Sequence, residues 1–319
     1  MVTAPSEHMK VAVIGVGGVG GYFGGLLAKA EHDVTFIARG AHLKAIKAKG
    51  LRVESQLDGT FTVPGNATDN TAECGEQALV LFTVKMYHNE DAIKHLAPLI
   101  GPETVVLTLQ NGIDNGDILT EAMGDDHVMI GSAYMEGRIS EPGVVVQGGP
   151  GIAAFGEMKV GISRRGENLL QRFQEAGWRV NLHENMPGML WKKFAYIAGS
   201  AAVNAAISNS DYEEIRSVPE TRALIQGAIE ETLAVGHARG APIMEDSLEW
   251  AMTSLDGFPG QGRASLAKDF LEGRQVELEG LTGTVVRMGR EAGVPTPIND
   301  GLYAILKPLA LRIEKSLEA

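Results

Sequence analysis

The run KVAVIGVGGVGGYFGGLLAKAEHDVTFIAR, residues 10–39, constrains this chain more than any other stretch. An apolar strand expected over Val11 to Ile14 leads into Gly15, Gly17 and Gly20, spaced G-x-G-x-x-G. A helical pattern and a second strand, Val34 to Ala38, follow. Each glycine answers a physical need: Gly15 allows a tight turn, Gly17 lets backbone approach a pyrophosphate, and Gly20 lets helix pack closely on strand. The amides of Gly18 and Val19 would then open the helix toward the phosphates. A glycine-rich loop without a ligand is the alternative, and the strand–loop–helix–strand context favours the dinucleotide reading.

The end of the second strand discriminates between nicotinamide cofactors. An acidic residue there accepts hydrogen bonds from a ribose 2′-hydroxyl, whereas an arginine binds a 2′-phosphate as a charged fork. This chain has Arg39, followed by Lys44, Lys47 and Lys49, while Asp33 precedes the strand. NADP(H) is the expected cofactor; a solvated basic helix face is the alternative. Further apolar runs, Ala78 to Lys85, Val105 to Gln110 and Val128 to Ser132, alternate with helical segments. Such runs suit strands covered on both faces, so residues 9–184 read as a Rossmann-type doubly wound parallel sheet. Ligands sit beyond the carboxyl ends of strands in such sheets, which singles out Lys85 and Asn111. A surface lysine and an Asn-Gly turn are the plain alternatives.

Asp and Glu outnumber Lys and Arg by 40 to 28, a formal charge of -12 that argues against nucleic acid and anionic membranes and toward a small-molecule substrate. The single cysteine, Cys74, leaves no internal disulfide framework, and no leader pattern or confident membrane span is read; a cytoplasmic location is expected. MVTAPSEH, ahead of Met9, reads as a tail without assigned structure.

After about residue 184 the strand signals stop, so residues 185–319 are expected to form an all-α domain. SVPETRALIQGAIEETLAVGHARG carries an expected capping box (Ser217 with Glu220), Pro219 in the first turn and Gly240 beyond its end. Later periodic segments end at Gly293 and continue to a helix containing Pro308. Apolar surface in this half leads us to expect a homodimer. The apolar stretch WKKFAYIAGSAAVNAAISNS, residues 191–210, reads as a buried helix entered by a lysine pair. At about 100° per residue, Lys193, Ile197, Ser200 and Asn204 share one stripe. Lys192 points away and is expected to be the solvated member. Lys193 is either functional or a helix-end lysine that snorkels to water.

Five motifs in order, GVGGVGGYFGGLLAKAEHDVTFIAR, LFTVK, LQNG, LWKKF and RASLAKDFLEGRQVELEGLTG, make the sequence resemble the ketopantoate reductases (2-dehydropantoate 2-reductases) from about residue 9 onward. The resemblance implies a Rossmann domain and a helical domain with the active site between them. It also implies NADPH-dependent reduction of a 2-oxo acid to a 2-hydroxy acid, ketopantoate to pantoate in pantothenate and coenzyme A biosynthesis. The family's catalytic lysine falls on Lys193, its late glutamate on Glu277, its serine on Ser265 and its cofactor-side asparagine on Asn111, which also borders the substrate. Lys85 and Arg39 match cofactor positions. The pattern departs at Ile197 and Ala201, where the family places substrate-holding asparagines. Ser200 and Asn204, on the same face, are the candidates to compensate. A more apolar 2-oxo acid, or a non-catalytic NADP(H)-binding redox sensor, are the competing readings. Retention of Lys193 and Glu277 disfavours the sensor.

Overall fold

A computed structural model describes residues 8–207 and 210–318; the expected tail, residues 1–8, lies outside them except for His8. The chain divides into two compact units between Met186 and Pro187.

In the first unit β1 (Lys10–Ile14), α1 (Gly18–Lys29), β2 (Asp33–Ile37) and α2 (Gly40–Lys49) follow the expected alternation. Then come β3 (Leu51–Ser55), β4 (Gly59–Val63), β5 (Ala67–Thr68), β6 (Leu79–Phe82), α3 (Asn89–Ile93), β7 (Val105–Thr108) and α4 (Asn115–Met123). The unit closes with β8 (Val128–Glu141), β9 (Val144–Glu157), α5 (Arg164–Glu175) and β10 (Arg179–Leu182). Among the described residues these ten strands form one sheet, ordered β4-β3-β9-β8-β7-β6-β1-β2-β5 with β10 against β9.

The six strands from β8 through β5 run parallel; five of them are the expected ones, and β5 is added at the edge. The sheet as a whole is mixed: β8 turns into β9 as a long antiparallel hairpin, and β3 pairs antiparallel with β4. None of β3, β4, β5, β9 and β10 is anticipated from periodicity, and β8 runs nine residues past the expected Ser132 because its hairpin partner supplies ladder bonds there.

The doubly wound character lies in the alternation along β1. Val11 and Val13 pack with Phe23, Leu27 and Phe173 on one face, and Ala12 and Ile14 with Leu96, Leu99 and Leu119 on the other. Trp178 stacks on Phe173, rings 4.1 Å apart and 8° from parallel, and its indole donates to the Phe23 carbonyl at 3.0 Å. An indole is buried cheaply only when its N–H finds such a partner.

The second unit is helical: α6 (Met186–Ala206), α7 (Tyr212–Ser217), α8 (Pro219–Ala238), α9 (Ser247–Gly257), α10 (Ser265–Leu271), α11 (Thr282–Ala292) and α12 (Pro297–Glu318). Four of the six alanines of α6 are buried, and a Cβ on its Gly199 would come within 2.9 Å of Ile229 of α8, so small residues let these helices approach. The expected capping box is displaced. Ser217 instead ends α7, its hydroxyl donating to the Glu214 carbonyl, and Val218 precedes Pro219, the first residue of α8. The reciprocal box is formed earlier, by Asp211 and Glu214 at the start of α7. Gly293 terminates α11 in the left-handed conformation, and α12 continues through Pro308. Among the described residues no helix is long and apolar enough to cross a membrane.

Candidate active site

The glycine loop joins β1 to α1. Gly15 has φ +94°, and a Cβ there would lie 2.5 Å from the Val84 nitrogen, so no other residue fits. A Cβ on Gly20 would sit 2.2 Å from Thr83 Oγ1, whose hydroxyl donates to the Gly15 carbonyl at 2.8 Å and ties the loop to the end of β6. Gly17 differs: nothing lies within 4 Å of the position its Cβ would take. It is the N-cap of α1, yet no side chain caps the helix, and the first turn, with Gly18 and Val19, carries no acidic residue. Gly18 by contrast packs against the Gly137 backbone, where a Cβ would lie 2.1 Å from the carbonyl carbon, so the open side of the uncapped helix start is at Gly17, where a pyrophosphate would approach. The residues present fit a dinucleotide.

His42 is a support that sequence reasoning missed. Its Nδ1 accepts the Gly143 amide at 3.0 Å, so Nε2 carries the hydrogen and donates to the Val16 carbonyl at 2.9 Å. One ring thereby ties the glycine loop and the β8–β9 turn to α2, and burial holds the imidazole below its ordinary pKa. Partners 26 and 101 residues away leave no local signal.

Arg39 directly follows β2 and Ala38, as expected, and is the N-cap of α2. Its guanidinium is 2.7 Å from the Asp91 carboxylate, which it holds below the usual carboxylate range. Both side chains are more than half exposed, so this contact is weak and exchangeable. Lys85, exposed, and Asn111, half-buried, follow β6 and β7 by a few residues, at the carboxyl ends of adjacent parallel strands.

In the helical unit Lys193 lies about two turns inside α6, because the helix starts seven residues before it. The helix-end alternative therefore does not apply. Lys193 is buried, and desolvation brings its ammonium from 10.5 down to about 7. Lys192, expected to be solvated, is buried too. Its ammonium pairs with Asp246 at 2.7 Å and lies 5.3 Å from the centre of the Trp250 ring, because α9 packs over that side of α6.

Glu277 is buried in the segment between α10 and α11, while Ser265 opens α10 and is exposed. Ser200 donates to the Tyr196 carbonyl at 2.7 Å and receives the Tyr212 hydroxyl at 3.3 Å. The amide of Asn204 donates to the Ser210 carbonyl, and its oxygen accepts the Ala264 N–H, both at 2.8 Å. Asn204 thus anchors the residue immediately before Ser265. Ile197 is half-buried and Ala201 fully buried on the same helix.

The glycine loop belongs to a dinucleotide-binding fold, and the family matches define an oxidoreductase that acts on a ketone or the corresponding alcohol. Residues 11–160 match the family model described as ketopantoate reductase PanE/ApbA, and residues 185–310 the one described as its C terminal. The chain belongs to the ketopantoate reductase PanE/ApbA family. A 2-dehydropantoate 2-reductase of Mesorhizobium japonicum is 28% identical over 95% of this chain and 98% of its own. One from Pyrococcus horikoshii is likewise 28% identical, over 94% of this chain and 97% of its own. The crystal structure of a PanE/ApbA family ketopantoate reductase from Ralstonia eutropha JMP134 superposes with a TM-score of 0.87 at 31% identity, covering 96% of this chain and all of that one. A D-mandelate dehydrogenase, solved with NADH and anilino(oxo)acetate, shares the fold at 20% identity with a TM-score of 0.87, covering 96% of this chain and 99% of that one.

Proposed function

We infer that this protein uses NADPH to reduce a 2-oxo acid to a 2-hydroxy acid, with ketopantoate as the substrate. The observation that carries the reading is Lys193, an ammonium buried within α6 and brought by desolvation to about 7. Nicotinamide, when bound, supplies the hydride. The chain's part is electrostatic. Hydride arrival places negative charge on the ketone oxygen, and protonated Lys193 stabilises that charge and delivers its proton to the oxygen. Glu277 accepts hydrogen bonds from substrate hydroxyls and orients the lysine. Ser265 contributes a hydroxyl to the substrate, and Ser200 and Asn204 support the site through the internal bonds they already make. A non-catalytic sensor has no use for a proton donor held at this cost.

A second substrate reading is favoured by Ile197 and Ala201, whose apolar side chains follow Lys193 on α6. A more apolar 2-oxo acid suits them. A panel of 2-oxo acids, followed by NADPH oxidation, decides: ketopantoate turned over best supports the first reading, a branched acid without hydroxyl the second, and no turnover of any acid removes both. On the same panel Glu277→Ala is expected to raise the KM of hydroxylated acids more than it lowers kcat.

NADPH is expected to bind more tightly than NADH, the 2′-phosphate displacing Asp91 from Arg39. Arg39→Ala should weaken NADPH by roughly 10- to 100-fold, the loss of one charge-assisted fork, and leave NADH nearly unchanged. Dissociation constants of both cofactors measure this; equal loss for the two would remove Arg39 from the 2′ site. Homodimerisation through the helical unit and a cytoplasmic location belong to the same proposal. Ile305 and Leu317 of α12, 60% and 57% exposed, supply apolar surface for the former.

A further inference from the structure

Gln110, in the LQNG motif, takes no part in the chemistry above, yet it is buried together with Thr108, Asn89 and Asn115. The four side chains form a single directional chain. Thr108 Oγ1 donates to Gln110 Oε1 at 2.9 Å, Gln110 Nε2 to Asn89 Oδ1 at 2.7 Å, and Asn89 Nδ2 to Asn115 Oδ1 at 2.8 Å. Asn115 Nδ2 then donates to the backbone carbonyl of Asn111 at 2.7 Å. The second hydrogen of Gln110 Nε2 goes to the Val84 carbonyl, also at 2.7 Å, immediately before Lys85. Gly112, at φ +97°, packs against the Met86 side chain, where a Cβ would meet Cε at 2.4 Å. The turn after β6 and the turn after β7 are therefore held by the same buried amides.

We propose that this relay is a positioning device for the cofactor-side residues, with Asn115 acting through Asn111 and Gln110 holding the Lys85 turn. The proposal rests on the assignment of Asn111 to the cofactor and substrate side. Each amide in the chain is a donor on one side and an acceptor on the other, so reversing one member disorders the next. Amides buried in this way must be satisfied, which fixes the two turns more firmly than their sequence as loops requires. No residue of the relay need touch substrate or cofactor.

The test is a double-mutant cycle on kcat, with cofactor dissociation constants and Tm recorded alongside. Asn115→Asp keeps shape and the acceptor toward Asn89 but loses the donor to Asn111. It is expected to lower kcat roughly tenfold, as a small misplacement of a reacting group does. In an Asn111→Ala background the same substitution should have no further effect on kcat, because the side chain it positions is gone. Thr108→Val, which removes the first donor without adding charge, is expected to lower kcat from the far end and to keep part of its effect in the Asn111→Ala background, because Gln110 also holds the Lys85 turn; Thr108→Ser is expected to restore the parent value. Additive losses for Asn115→Asp and Asn111→Ala would reduce the relay to a fold element and overturn the proposal, leaving Asn111 in place. An Asn111→Ala variant with parental kcat and cofactor binding would overturn both.

Discussion

Lys193→Ala is expected to lower turnover of the preferred 2-oxo acid by roughly 10²- to 10⁴-fold, the usual consequence of removing a general acid. Cofactor affinity should stay within a few-fold of the parent, since the glycine loop and Arg39 belong to other elements. The pH profile gives an independent signature. Reduction needs the ammonium, and burial brings Lys193 to about 7. In the free enzyme kcat/KM should therefore be flat below pH 7 and fall as pH rises through that value. Lys193→Arg retains a positive charge but not a proton that leaves near neutrality, so its residual activity should lose the inflection. A parent profile flat from pH 6 to 9, or an alanine variant with parental turnover, would remove Lys193 from proton transfer.

The same lysine is expected to weaken the fold that holds it. Its pKa is about 7 in the folded protein against an ordinary 10.5. At about 1.4 kcal/mol per unit, the buried ammonium costs a few kcal/mol. The sign follows from proton counts. Below pH 7 both states are protonated and the full cost is present; between 7 and 10.5 the unfolded chain binds more protons, so stability rises with pH and the cost disappears. Lys193→Met, similar in length and uncharged, should therefore be inactive yet more stable than the parent by a few kcal/mol at pH 6. The gap should narrow toward pH 10. Denaturant unfolding of both proteins at several pH values measures it, and a gap independent of pH would show that the ammonium is not desolvated.

Much of the fold is legible locally because its causes are local. G-x-G-x-x-G between a strand and a helix has few uses, and the structure supplies the reasons at Gly15 and Gly20: a left-handed turn and a helix pressed onto Thr83. The parallel strands β1, β2, β6, β7 and the start of β8 announce themselves as apolar runs because both faces are covered. Long helices with Pro at the start and Gly past the end are legible for the same reason. Strands β3, β4 and β9 are not: β3–β4 and β8–β9 are hairpins without a clear alternating pattern, and the parallel pairing of β3 with β9 joins residues about 90 positions apart.

The candidate site divides along the same line. That Lys193, Ser200 and Asn204 share a face follows from helix geometry alone. That Ser200 and Asn204 bind their own unit, and that Lys192 is paired with Asp246 and not solvated, depends on which helices pack against α6. The His42 clasp, the Arg39–Asp91 pair and the relay's links through Asn89 and Val84 likewise join residues that have no local relation. The chain by itself determined its periodicities, its turns and the kind of group available at each position. Tertiary structure decided which of those groups are desolvated and which are already satisfied, because burial and hydrogen-bond partners are properties of the packed whole.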